Sequence, residues 1–275
     1  SYAAQKAWPN TVRAVHVGNV LLHGWCALMV ERIALAMGFE PVFAALAAVL
    51  YVAHPFGVNT VGYMTGRASI LSTLFGLAAA LAVLTGWSVL AFPLLAASIL
   101  SKEDGAGYLM LIGGMFVMRH EWLWLAVLAA ILPVALYRYR RTIMALFTKQ
   151  GDLLMGTIGL PVAYPLRKQA WTVLVETLVR LPMWAVGAGM SPYHGSGIKP
   201  PSRLRGVMVL SAFFILLCGL IAVHVPVLIL MLIILGPWLV YLVCPVPDQL
   251  MEYRNYGSVA GFVLLFTELF TRILP

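Results

Sequence analysis

Apolar runs that approach bilayer thickness recur along this chain, and they set the limits of what it can fold into. They cover roughly 12–37, 41–53, 68–86, 88–100, 106–118, 122–137, 206–223, 226–243 and 258–274. A helix needs about 20 apolar residues to cross the hydrocarbon core. Several of these runs meet that length, while 88–100 falls short and has to be tilted or packed against its neighbours. Only 10% of residues are charged, against about 25% in an ordinary soluble domain. A transmembrane barrel would show short segments of alternating hydropathy instead. The sequence therefore predicts an all-α, polytopic transmembrane helix bundle of about nine spanning segments with interfacial amphipathic helices, forming one domain over 1–275.

Within that domain, 139–205 is less apolar and reads as an interfacial or extracytoplasmic insertion. In its 168–181 portion, Glu176 and Arg180 are four apart, a spacing that supports a helix. That portion is either an amphipathic helix lying in the interface or a spanning helix of low hydrophobicity.

Polar residues are scarce, so their placement is informative. In the first segment His16, Asn19 and His23 share one helix face, a stripe that has to meet protein or water rather than lipid. Helix–helix hydrogen bonding and direct substrate contact both account for it. Between two apolar runs, the stretch His54-Pro55 to Arg67 adds Asn59, Thr60, Tyr63 and Thr65. Ser101-Lys102-Glu103-Asp104 is the densest charge cluster, followed later by Arg138, Arg140 and Arg141, by Tyr193-His194, and by Glu252 to Arg254. The bland reading of these clusters is interfacial solvation, snorkelling to lipid headgroups and, for His54, a helix cap.

If the segments alternate in direction and 142–190 makes no net crossing, the loops 54–67, 101–105, 138–205 and 245–257 fall on one side. The tight turns near 38–40, 87–88, 119–121 and 224–226 then fall on the other. Of the 18 Lys and Arg residues, all but Arg32, Arg119 and Arg272 lie on the side of the polar loops. The positive-inside rule would make that side cytoplasmic, whereas an anionic ligand would concentrate Arg and Lys there on either side of the membrane. The net charge of +8 thus points to lipid headgroups or anionic ligands. No nucleic-acid motif is present, and no metal-ligand spacing. Cys26, Cys218 and Cys244 are far apart in apolar surroundings and read as small buried hydrophobes.

The order of motifs resembles the GT-C glycosyltransferase superfamily, most closely the membrane part of the tetratricopeptide-repeat O-mannosyltransferases and their bacterial relatives. Asn19-Val20-Leu21-Leu22-His23 matches their asparagine-to-histidine helix, and His54-Pro55 their histidine–proline motif. Thr65-Gly66-Arg67 is similar to their serine-glycine-arginine, and Ser101-Lys102-Glu103 matches in full. Glu252-Tyr253-Arg254-Asn255-Tyr256 is similar to a motif before the last core helix, with Arg and Tyr exchanged. Asn59 stands where the family carries a glutamate, and no acidic residue precedes Arg13, where the family's loop acid would lie. No signal peptide is visible and the first residue is Ser1, so the resemblance implies that an N-terminal helix and its loop belong upstream of this sequence.

The resemblance implies transfer of a sugar from a polyprenyl-phosphate donor to a protein or glycan acceptor. The protein would be integral to a membrane of the bacterial inner type, with its polar loops extracytoplasmic. It implies phosphate or substrate contacts from His54, Asn59, Arg67, Lys102, Arg138, Arg140, Arg141, Tyr193, His194 and Arg254. Glu103, Asp104 and Glu252 are the candidate catalytic acids. Cofactor use is open, with nothing to indicate a divalent metal. The rival readings are a transporter or flippase of a lipid-linked saccharide and a non-catalytic subunit working with a partner. A flippase would be expected to show inverted repeats with helices broken at the midplane.

Overall fold

In the computed structural model, residues 9–63, 66–130 and 256–273 are described, with a few isolated positions between. Every regular element among them is helical. The order is α1 (Pro9–Ala36), α2 (Pro41–Ala53), α3 (Pro55–Gly62), α4 (Gly66–Leu84), α5 (Ser88–Ser101), a 3-10 turn (Glu103–Ala106) and α6 (Gly107–Met118). A helix α7 starts at 122, and α8 is Tyr256–Ile273. Two helices, Arg13–Ala36 and Gly66–Leu84, are long and apolar enough to cross a membrane. The pair α2 and α3, bent by 50°, makes a third if taken as one span. The expected spans 206–223 and 226–243, the segment 168–181 and the charged loops after 137 lie outside the described residues.

The stretch 54–67, expected as a polar loop, is mostly helix α3. Its break from α2 follows from Pro55, which has no N–H to give to the Tyr51 carbonyl. His54 N–H takes that carbonyl instead at 3.3 Å. The Phe56 N–H turns to His54 Nδ1 at 3.3 Å, and Gly57 N–H to the His54 carbonyl at 2.8 Å. The chain therefore bends while its backbone donors stay paired.

α4 is the hub. It touches α1, α3, α5, α6 and α8, and its buried residues are mostly Gly, Ser, Thr and Ala. Small side chains let helices approach closely where lipid offers no hydrophobic drive. Ser98 Oγ on α5 donates to the Ser72 carbonyl at 2.7 Å, and the Tyr108 ring of α6 lies over Gly76. The outer surface is reversed relative to a water-soluble protein. Val17, Leu21, Trp25 and Leu28 form an exposed stripe along α1, while Asn19, His23, Ser72, Thr73, Ser98 and Asp104 are buried.

The two ends of the bundle are closed differently. At one end α1, α4 and α6 each finish in the same backbone motif. Phe39, Trp87 and Glu121 donate their N–H groups back to the carbonyls of Ala34, Ala82 and Phe116 at 3.0, 2.7 and 2.9 Å. The residue before each is left-handed: Gly38 (φ 90°), Gly86 (φ 86°) and His120 (φ 56°). Arg119 adds its Nη1, donating to the Val83 carbonyl at 2.6 Å, and pairs with Glu121 at 2.8 Å. At the other end, polar side chains make the closure.

Candidate functional site

That second end gathers residues from distant parts of the sequence. Asn19 sits on the inner face of α1, fully buried. Its Nδ2 donates to the Val61 carbonyl at 3.2 Å and to the Tyr63 carbonyl at 3.1 Å. The Val61 carbonyl is one of those that the end of α3 leaves without a helical partner, and the Tyr63 carbonyl, just past that end, also accepts from Gly66 N–H at 3.0 Å. Asn19 Oδ1 accepts from Arg67 Nε at 3.3 Å, and Arg67 Nη2 donates to the Val15 carbonyl at 3.2 Å. The amide thus holds α1, the α3–α4 connection and the guanidinium in one arrangement.

One turn along α1, His23 Nδ1 meets the Tyr256 hydroxyl at 2.5 Å, and Nε2 meets the Val52 carbonyl at 3.4 Å. A carbonyl only accepts, so Nε2 carries the proton and Nδ1 accepts from the Tyr256 hydroxyl. The Val52 carbonyl is available because Phe56 N–H, its ordinary helical partner, is taken by His54. Tyr51 completes an aromatic cluster, with ring centroids 5.2 Å from His23 and 5.8 Å from Tyr256. The Tyr51 and Tyr108 hydroxyls are buried without a hydrogen-bond partner among the described residues.

The third group stands at the junction of α5 with the 3-10 turn. Lys102 Nζ lies 2.7 Å from Asp104 Oδ2 and donates to Ser69 Oγ at 2.7 Å. Both ionic side chains are about nine-tenths buried, so this pair is not the solvated surface cluster that its sequence alone allows. Ser69 is two residues from Arg67 on α4, which brings the Lys102 group and the Asn19–Arg67 group to the same end of that helix.

His54 is buried and caps α2, as the bland reading of its sequence holds. His16 is half-buried and makes no hydrogen bond among the described residues. Asn59 lies in α3 and Glu103 opens the 3-10 turn. Arg138, Arg140, Arg141, Tyr193, His194, Glu252 and Arg254 lie outside the described residues. The sequence reading missed Tyr51 and Ser69, because a tyrosine or serine inside an apolar helix gives no periodic signal.

Among the described residues, no group of three His, Cys, Asp or Glu side chains comes together to hold a metal. An open groove of about 320 Å³, lined by Met29, Leu81, Trp87 and Leu94 among others, lies at the opposite end. Its lining is almost wholly apolar and offers nothing for chemistry. No family model, curated protein or solved structure matches the chain.

Proposed function

We propose that the chain is the membrane part of a GT-C-type glycosyltransferase, a bundle of about nine spans that uses a polyprenyl-phosphate sugar donor and works on the extracytoplasmic face of a bacterial inner membrane. One observation carries this reading. The polar residues of four separate motifs, Asn19 with His23, His54, Arg67 and Lys102 with Asp104, are buried or half-buried at one end of the bundle. Fixed cationic groups in a water-poor site stabilise the charge that grows on a departing phosphate.

In the reaction, an acceptor hydroxyl attacks the anomeric carbon and the carbon–oxygen bond to phosphate breaks. Polyprenyl phosphate leaves, and the hydroxyl proton passes to a carboxylate. Asp104 is held by Lys102 and serves to position it. Glu103 and Glu252 are the carboxylates left for the proton. The test is a proteoliposome assay with a radiolabelled polyprenyl-phosphate sugar, following label into acceptor and release of the lipid phosphate. Transfer by the full-length protein, lost in Glu103→Gln, supports the reading. Lipid-linked sugar that crosses the bilayer without breakage of its phosphate bond identifies a flippase and overturns it.

A further inference from the structure

α8 begins with a buried hydrogen bond that apolar packing alone does not require. Tyr256, its first residue, is buried, and so is His23 in the middle of α1. The Tyr256 hydroxyl donates to His23 Nδ1 at 2.5 Å, while Nε2 on the other side of the ring donates to the Val52 carbonyl at 3.4 Å. Gly57 of α3 makes room for the imidazole, since a Cβ there would come within 2.9 Å of His23 Cε1. Tyr51 stands edge-on to the Tyr256 ring, with centroids 5.8 Å apart and planes at 67°. Contacts from α2 and α3 thus fix the imidazole in one orientation, with Nδ1 as the acceptor left for α8.

Burying an imidazole and a phenol costs desolvation that a leucine and a phenylalanine in the same places would avoid. What the hydrogen bond adds is direction. It fixes the rotation and register of the helix that carries it, where apolar contact tolerates sliding. The chain enters α8 from the segment that carries Glu252 and Arg254, four and two positions before Tyr256. Even a fully extended chain keeps their Cα atoms within about 14 Å and about 7 Å of that of Tyr256. His23 is one turn of α1 from Asn19, whose amide holds Arg67. Fixing Tyr256 on His23 therefore limits how far Glu252 and Arg254 can stray from the Asn19–Arg67 group.

We infer that His23 and Tyr256 are positioning residues: their bond sets where α8 starts, and so where the acid and the cation just before it are presented. Neither is a catalytic residue; both act through Glu252 and Arg254. The inference rests on the glycosyltransferase reading for its reaction, but the placement of α8 is tested without it.

The experiment uses the full-length protein in nanodiscs, with nitroxide labels at Val17→Cys, exposed on α1, and at Asn255→Cys; Cys218 and Cys244 are replaced and the fully buried Cys26 is kept. Pulsed electron resonance gives the distance distribution between the labels. Four forms are compared: His23 with Tyr256 intact, Tyr256→Phe, which keeps the ring, His23→Leu, and His23→Gln, whose amide can accept from Tyr256 and donate to the Val52 carbonyl. The intact pair and His23→Gln are expected to share one narrow distribution, and Tyr256→Phe and His23→Leu to broaden or shift it. In proteoliposomes, without labels, Tyr256→Phe is expected to lower kcat/KM for sugar transfer by about 10-fold or more, the effect of misplaced groups, and His23→Gln to keep most of the activity. A bond that only stabilises would lower Tm in Tyr256→Phe and leave distances and kcat/KM unchanged, and that result overturns the inference. Altered distances with wild-type kcat/KM overturn it as well. Should Tyr256→Phe fail to fold, an unchanged distribution in His23→Leu has the same force. Altered distances in a protein whose wild type transfers no sugar overturn the glycosyltransferase reading and leave the placement of α8 by His23 standing.

Discussion

The pair Lys102 and Asp104 shows how a single side chain changes meaning once its surroundings are known. In the sequence, Lys102 is the obvious cation of a serine-lysine-glutamate motif. In the fold, it is a buried charge whose first obligation is to Asp104 and Ser69. Removing one member of a buried ion pair strands the other, at a cost of about 3–5 kcal/mol, while removing both is far milder. Lys102→Ala is therefore expected to lower the unfolding midpoint in detergent, and Lys102→Ala with Asp104→Ala to recover most of it. A Lys102→Ala midpoint equal to that of wild type would mean that the pair contributes nothing. An activity loss in Lys102→Ala is consequently uninformative until its stability is known. Asn19 and His23 were legible as a buried stripe because their spacing follows the helical period. Their partners were not: Tyr256 lies 233 positions from His23, and periodicity within one helix says nothing about which distant helix covers it.

At the scale of elements, proline and glycine marked most boundaries correctly. The His54-Pro55 break, the ends of α1 and α4 and the short α5 all follow from local chemistry. The helical nature of 55–62 was less visible, because its polar residues imitate a loop and the pairing that rescues the proline break comes from the His54 ring. His120 is the one non-glycine with positive φ among the described residues. It occupies the place that glycine fills after α1 and α4. A left-handed residue with a Cβ costs about 1–2 kcal/mol, of which glycine's greater freedom when unfolded returns about 0.5–1. His120→Gly is expected to stabilise the bundle by up to about 1 kcal/mol, read as a rise in Tm in detergent. A fall in Tm would show that the His120 ring, 6.2 Å from that of Trp122, stabilises the turn by more than the strain costs.

For the molecule as a whole, the contrast between its ends is the strongest structural statement about function. Alternation of the helices predicted that 54–67 and 101–105 share one end and that the turns at 87–88 and 119–121 share the other. The bonds from Lys102 to Ser69 and from Arg119 to Val83 match that sorting. Backbone motifs close the end at 87–88 and 119–121 and leave it little to bind with, while the end at 54–67 and 101–105 is closed by buried polar side chains that a mere turn does not require. If the remaining segments alternate too, that end would also collect every Lys and Arg of the chain except Arg32, Arg119 and Arg272, and two causes compete to explain such an excess. Topogenic charge would place it in the cytoplasm; a phosphate ligand presented outside would place it across the membrane. The causes separate in a background lacking Cys26, Cys218 and Cys244. Tyr63 and Trp87 are both exposed, one at each end. A membrane-impermeant maleimide added to intact cells is expected to label Tyr63→Cys, and to reach Trp87→Cys only after permeabilisation. The reverse pattern would make the charge excess an ordinary positive-inside signal. It would also leave Arg67 on the side where an extracytoplasmic donor cannot reach it.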